Sequence, residues 1–277
     1  MKQLIILLVS VCVLSACYPQ IKETETETFV IEDTFTMLNV ENTVGTININ
    51  NPTNEDNNTV GVIVEKFAYA LTEKAAQNYI DNIIVTTEFS GGIYRVKVEN
   101  PDVDLFPPYI TGGANLTFNN IDQQHVVLRT DVGTIDCEDI TQGDLDVAVG
   151  SIFVGSVTGP LMVDVITGSI YLDAYWGDDL ELETEVGSIR ADIKGSGPID
   201  ASIFVTTGDI SLDISEDRSC EVDLEVEVGD ILFSGVDDYE IISPFPGISS
   251  EVSFLLNEGT GKVNANAVVG SIDVDVE

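Results

Sequence analysis

The chain has 277 residues with 48 acidic and 11 basic side chains, a formal charge of −37. So negative a surface repels nucleic-acid phosphate and anionic lipid headgroups, which excludes both as electrostatic partners. An apolar content of 44% and a mean hydropathy of +0.18 exclude an acidic disordered chain, because such chains are poor in apolar residues.

Residues 1–14 hold one lysine, Lys2, ahead of the mostly apolar run 4–14. That run is too short to span a bilayer, which takes about 20 apolar residues, and suits the core of an export signal. It ends in Leu14-Ser15-Ala16-Cys17, which resembles the lipobox of bacterial lipoproteins. The resemblance implies that residues 1–16 are a signal peptide and that Cys17 becomes the lipidated first residue. Acyl chains would then hold the protein on a membrane its own charge avoids. Residues 17–28 contain the alternation Thr24-Glu25-Thr26-Glu27-Thr28, which buries nothing and repels itself, and are expected to form a flexible tether.

Residues 29–125 are expected to hold a first repeat unit and an inserted module. Around Thr72 a cap-like threonine precedes Ala75, Ala76, Tyr79, Ile80 and Ile83 at helical spacing. Strand-like residues 83–89, a Gly91-Gly92 turn and strand-like residues 93–98 follow, then a loop rich in Pro and Gly over 100–113. This α+β insertion is expected to cap one end of the repeat array, because exposed terminal strands invite aggregation.

Residues 126–277 are organised by a four-residue unit: Val or Thr, Gly, then Ser, Thr or Asp, then Ile. Its glycines are Gly45, Gly133, Gly150, Gly168, Gly187, Gly208, Gly229 and Gly270. The steps from Gly133 to Gly229 are 17, 18, 19, 21 and 21 residues, and the last gap of 41 is about two steps, with residues 252–257 expected as a degenerate copy. Five and three residues before each glycine the side chains are mostly apolar, as in Leu145 and Val147; after it, apolar residues stand two and four on, as in Ile152 and Val154. The alternation marks strands with one buried face, and its change of phase requires a bend that glycine tolerates. A repeat of 17–21 residues is half a propeller blade and fits one coil of a parallel β-solenoid, in which stacking buries ladders that no single coil could bury. The expected class is therefore all-β, a glycine-cornered parallel β-solenoid; eight coils at about 4.8 Å make a rod of roughly 40 Å. An antiparallel sandwich of short strands is the alternative.

The unit at 44–49, the helix and hairpin over 72–98 and the glycine units from Val127 onward together resemble the putative-adhesin family of bacterial β-strand-repeat proteins. The resemblance implies a parallel β-solenoid at the cell envelope, many members being lipoproteins, and carries no catalytic residues. The Pro244-Phe245-Pro246-Gly247 segment departs from the pattern and leaves the register between Gly229 and Gly270 open.

Catalysis finds little support. The repeats carry only Arg129, Arg190, Lys194, Arg218 and Lys262 as bases for a polysaccharide lyase, and the single histidine, His125, precedes the main array. Acid pairs such as Asp178-Asp179 and Asp237-Asp238 could serve a glycosidase, yet pairs arise by chance among 48 carboxylates. No cofactor is expected. A weak cation site, with calcium as its ion, is conceivable where Asp146, Asp164 and Glu183 share one outward offset and Asp144 and Glu181 stand two residues earlier; the plainer reading is a hydrated acidic face.

A ligand face is the sharper expectation. Three residues past the glycine, successive units present Phe153, Tyr171 and Arg190, with Tyr175 and the single tryptophan, Trp176, just beyond. Outward aromatics beside an arginine suit a glycan or an envelope protein, unless the inserted module covers them. Cys137 and Cys220 are expected as free thiols, about 20 Å apart where a disulfide needs Cα atoms within about 7 Å. The resulting expectation is a non-enzymatic envelope lipoprotein, on the outer rather than the inner membrane, that adheres or binds a partner. A structural spacer and a carbohydrate-active enzyme on a β-helix are the alternatives.

Overall fold

The structure is a computed structural model that describes residues 20–50, 59–102, 105–121, 124–236, 240–245 and 249–277. Cys17 and the signal segment lie outside the described residues, as do Asp237 and Asp238 of one acid pair and the Pro246-Gly247 half of the proline segment. The described chain is all-β with one helix. In chain order it runs β1 (Ile21–Ile31), β2 (Met37–Asn50), β3 (Val60–Ala70), α1 (Glu73–Ile80), β4 (Ile84–Ser90), β5 (Ile93–Glu99), β6 (Thr111–Asn119), β7 (His125–Ile140) and β8 (Gln142–Val157). Then come β9 (Leu161–Thr167), β10 (Ile170–Tyr175), β11 (Asp179–Val186), β12 (Ile189–Ile193), β13 (Gly197–Pro198), β14 (Asp200–Thr207) and β15 (Ile210–Ile214). The rest is β16 (Arg218–Val228), β17 (Ile231–Ser234), β18 (Glu240–Phe245), β19 (Ser249–Leu256), β20 (Gly261–Val269) and β21 (Ile272–Val276).

These strands make one large, mostly parallel sheet that does not close. Each repeat contributes a leading stretch before its glycine and a trailing stretch after it. The leading stretches pair in the order β5, β2, β7, β8, β9, β11, β14, β20, β16, all parallel. The trailing stretches pair in the order β6, β2, β7, β8, β10, β12, β15, β21, β17, again parallel. Both bury their apolar sides in one continuous core that includes Leu145, Val147, Ile152 and Val154.

The corner explains the repeat. Gly168 has φ +147°, and a Cβ there would lie 1.4 Å from the Gly150 carbonyl oxygen; Gly187 stands in the same relation to Gly168. The glycines therefore stack directly, at backbone angles closed to other residues and with no room for a side chain. Next to this stack the amide N–H of Ser169 donates to Ser151 Oγ (3.3 Å), that of Ser188 to Ser169 Oγ (3.3 Å) and that of Ser271 to Asp209 Oδ1 (2.9 Å). Ser, Thr and Asp recur at that position because one rung's side-chain oxygen accepts the next rung's N–H, a group the bend removes from the main ladder. The residue before the glycine points outward: Val149 and Val186 are half exposed, so the change of phase falls just ahead of the glycine.

Three expectations are corrected. Residues 21–28 are no tether, since β1 pairs antiparallel with β3 from Ile21↔Ala70 to Ile31↔Val60. The Thr-Glu alternation has the two-residue period and β-branched content of a strand, and its charge is met by Lys66, 2.6 Å from Glu27. Residues 252–257 are no degenerate parallel copy; they belong to β19 and the turn after it, and β19 runs antiparallel to β16. The stacking order also departs from chain order, because β20 and β21 slip between β14/β15 and β16/β17, so that a Cβ at Gly270 would meet the Gly208 oxygen and one at Gly229 the Gly270 oxygen.

The inserted module supplies the other end. Its β4–β5 hairpin extends the leading ladder beyond β2, while β6, β3 and β1 extend the trailing ladder with antiparallel pairing. Helix α1 packs on β1 and β3. Thr72 caps it, its hydroxyl accepting from the Ala75 N–H at 3.2 Å. Residues 111–113, read as loop, open β6: a Cβ at Gly113 would lie 2.1 Å from the Val44 carbonyl oxygen, so these glycines serve a close strand approach.

Candidate binding face

On the outer side of the trailing ladder the parallel register sets Phe153 beside Tyr171 and Tyr171 beside Arg190. The two rings stack with centroids 4.9 Å apart and planes 4° from parallel, and both are exposed, Phe153 by 41% and Tyr171 by 38%. The inserted module does not cover them: the register places Asp136 and then Asn48 between Phe153 and that end. Arg190 is freely exposed, its guanidinium reaching toward Asp213 at 3.9 Å, a surface pair too loose to fix it. The face is thus an aromatic ledge with an exposed cation at one side, in a molecule otherwise dominated by carboxylates.

Tyr175 does not belong to it. Past Leu172 the alternation breaks as it does in the two preceding rungs, so that Tyr175, in register with buried Val157 and through it with buried Ile140, turns its ring inward and is fully buried. Its hydroxyl accepts from the Asp179 N–H (2.9 Å) and donates to the Asp179 carbonyl (2.5 Å), and burial pushes its pKa up to about 12. Trp176, half exposed, stands in the following turn over Gly195, where a Cβ would lie 3.5 Å from its ring. Among the described residues no ring contact joins it to Phe153 or Tyr171.

Beneath Trp176 the structure holds a residue whose role the sequence did not suggest. Arg218 is 2% exposed, donates Nη2 to the carbonyls of Gly177 (2.9 Å) and Tyr175 (3.4 Å), and leaves Nε without a partner. Burial lowers its pKa. It ties the turn after β10 to the start of β16 and is structural.

The carboxylates fall in register rows as expected: Arg129, Asp146, Asp164 and Glu183 form one, while Asp144 and Glu181 stand in the neighbouring row with Met162 between them. Arg129 reaches Asp144 at 3.5 Å and Asp146 at 3.9 Å, relieving the row from one end. The Asp146 carboxyl is held above the usual range by partial burial and by Asp164. Among the described residues no group of three or more His, Cys, Asp or Glu is placed to hold a metal ion. His125 lines a shallow groove of about 270 Å³ with Gln142, Asp144, Asp179 and Glu181. Cys137 and Cys220 are both free and buried; burial raises both thiols, that of Cys220 to about 11. No helix among the described residues is long and apolar enough to cross a membrane.

A second concavity, of about 1040 Å³, lies at the module end, where Phe67, Tyr69, Tyr79 and Phe106 meet the prolines of the 101–108 loop. Tyr79 and Phe106 pack edge to face at 5.0 Å.

No family model and no curated protein sequence matches this chain. Among solved structures it is similar to a putative cell adhesion protein from Clostridium sporogenes, at 12% identity and a TM-score of 0.38, over 92% of this chain and 100% of that one. It is similar also to a putative adhesin from Bacteroides fragilis, at 16% identity and 0.32, over 91% and 97%. A putative adhesin from Parabacteroides merdae shares 12% identity at 0.34, over 92% and 96%.

Proposed function

We propose that this chain is an exported, lipid-anchored protein of the bacterial cell envelope, on the outer membrane. Its parallel ladder is wound as a solenoid, and it binds an envelope glycan or protein through Phe153, Tyr171 and Arg190 without catalysing a reaction. The observation that carries the binding role is the stacked, exposed Phe153–Tyr171 pair. Rings left in water on an acidic β-surface cost solvation unless a partner covers them, and aromatic and arginine side chains are what binding hot spots use. The same-direction rungs and the direct stacking of corner glycines support the winding. The lipobox resemblance at Cys17 supports the anchor.

The test is a pull-down of envelope glycans and proteins on the immobilised full chain. The Phe153→Ala/Tyr171→Ala double variant is expected to cut retention of a specific partner about tenfold, whereas Trp176→Ala, away from the pair, leaves it unchanged. Equal retention by the double variant and the parent would sink the binding face and leave a spacer. Small-angle scattering giving a compact rather than an elongated particle would sink the solenoid.

A further inference from the structure

The start of the described chain and the apolar concavity share one corner of the molecule. Gln20 lies beside the end of β3, since Ile21 pairs with Ala70, and β3 is flanked on its other side by β6, with Tyr69 opposite Thr111. The Gln20 side-chain amide donates to the Tyr109 carbonyl at 3.3 Å. Around this point four large apolar side chains stand in water: Leu105 (72% exposed), Tyr109 (42%), Leu71 (40%) and Ile21 (36%). Behind them opens the groove lined by Tyr79, Phe106 and the loop prolines, whose only charged lining group among the described residues is Asp102. On a chain of net charge −37, exposed apolar side chains that meet an apolar groove at one corner form a patch that calls for a partner.

Chain reach identifies it. Cys17 is three residues from Gln20, and three fully extended residues span about 10 Å. Because residues 21–28 form β1 rather than a tether, no slack exists to hold the body away from a membrane that the Cys17 acyl chains enter. Gln20 therefore lies within about 10 Å of that membrane, and the exposed apolar groups on its side of the molecule are Tyr109, whose carbonyl it contacts, Leu71, next to the partner of Ile21, and Leu105 of the same loop. From this the geometry points to a lipid-docking surface: the 105–110 loop and Leu71 seat in the interface of a neutral, zwitterionic bilayer, orienting the ladder on the membrane. The rim uses the means of interfacial proteins, apolar and aromatic side chains at headgroup depth; its one neighbouring cation, Lys22, lies over the Phe67 ring at 5.9 Å, and a single cation beside Asp102 and the β1 glutamates does not select anionic lipid. The inference rests on the anchor at Cys17.

The experiment reconstitutes the full chain into phosphatidylcholine vesicles, with lipids brominated along their acyl chains as quenchers. A Leu105→Trp substitution in a Trp176→Phe background reports on the loop, and the parent's own Trp176 reports on the body. The loop tryptophan is expected to shift to the blue and be quenched about twofold or more, and Trp176 to be unaffected. Hydrogen exchange on the unsubstituted chain is expected to slow over residues 105–111 on reconstitution and stay unchanged over β11. Intact mass of the Cys17 peptide separates the two premises. An acylated Cys17 with an unquenched loop and unchanged exchange overturns the docking surface alone, whereas an unmodified Cys17 removes the short leash and overturns both.

Discussion

At a single corner glycine, sequence, backbone and packing impose the same demand. Alanine at position 168 would need φ near +147° and would set its Cβ 1.4 Å from a carbonyl oxygen, so neighbouring rungs must part to admit it. Gly168→Ala is expected to lower unfolding stability by about 3 kcal/mol or more in urea denaturation. Gly91→Ala, in the β4–β5 turn at φ +62° with nothing within reach of its Cβ, is expected to cost about 1 kcal/mol from backbone strain alone. Equal losses would mean that conformation, not crowding, sets the requirement. These glycines were legible because one residue type has to recur wherever the backbone is so constrained. Tyr175 was not: a two-residue period read straight through points it outward, and the break that turns it inward is the one that also buries Val157 and Ile140, each seven residues past its own glycine. Arg218 was equally silent, because its partners are backbone carbonyls more than 40 residues away.

Among elements, period-two alternation identified the strands of the array but not their neighbours. Parallel rungs share one pattern, so any of them fits beside any other, and the displacement of β20 and β21 ahead of β16 and β17 follows from the antiparallel β19 and the crossing after it. Asn257 marks that crossing: its side chain donates to the carbonyls of Glu216 (2.8 Å) and Arg218 (2.6 Å) as the chain passes the start of β16. Strands near a terminus ordinarily fray, yet β20 is paired on both sides. Its amides are expected to exchange as slowly as those of β14 in native-state hydrogen exchange, and those of the edge strand β1 much faster. Rapid exchange in β20 would show that the last rung is only loosely inserted. The β1 strand was missed because its acidic alternation reads as solvated chain; only Lys66 and the free edge of β3 make it a strand.

Over the whole molecule the surplus of carboxylates sets the response to pH. Partial burial and neighbouring carboxylates raise both Asp146 and Asp213, so the folded chain holds these protons to higher pH than the unfolded chain does. Stability is therefore gained as pH falls through the window from the raised values toward the ordinary Asp value of about 4, and lost as it rises. Asp223 works the other way. Burial would raise it, but hydrogen bonds from Lys262 and Ser253 hold it low, and its contribution is lost only in stronger acid. The melting temperature is expected to rise as the pH falls from the raised values toward about 4, and Asp146→Asn to raise it at pH 8 while flattening that slope. A parent whose melting temperature falls steadily over that range would show that paired carboxylates outweigh crowded ones. All-β class, parallel repeats and an end module were legible at this scale because composition and spacing act over the full length. The apolar corner was not, since Ile21, Leu71, Leu105 and Tyr109 are scattered in sequence and meet only through β1, β3 and β6.

The out-of-order final rung also bears on how such a chain is made. A polypeptide delivered from its N-terminus can lay down one rung after another up to β15, but β16 has only the short β13 and then β19 beside it, and β17 lacks its strand partner, until residues 261–276 have emerged to join both to β14 and β15. Folding in chain order would thus yield a particle that stays ajar until its last segment arrives, leaving a prematurely stopped product with an unfilled slot open to proteolysis.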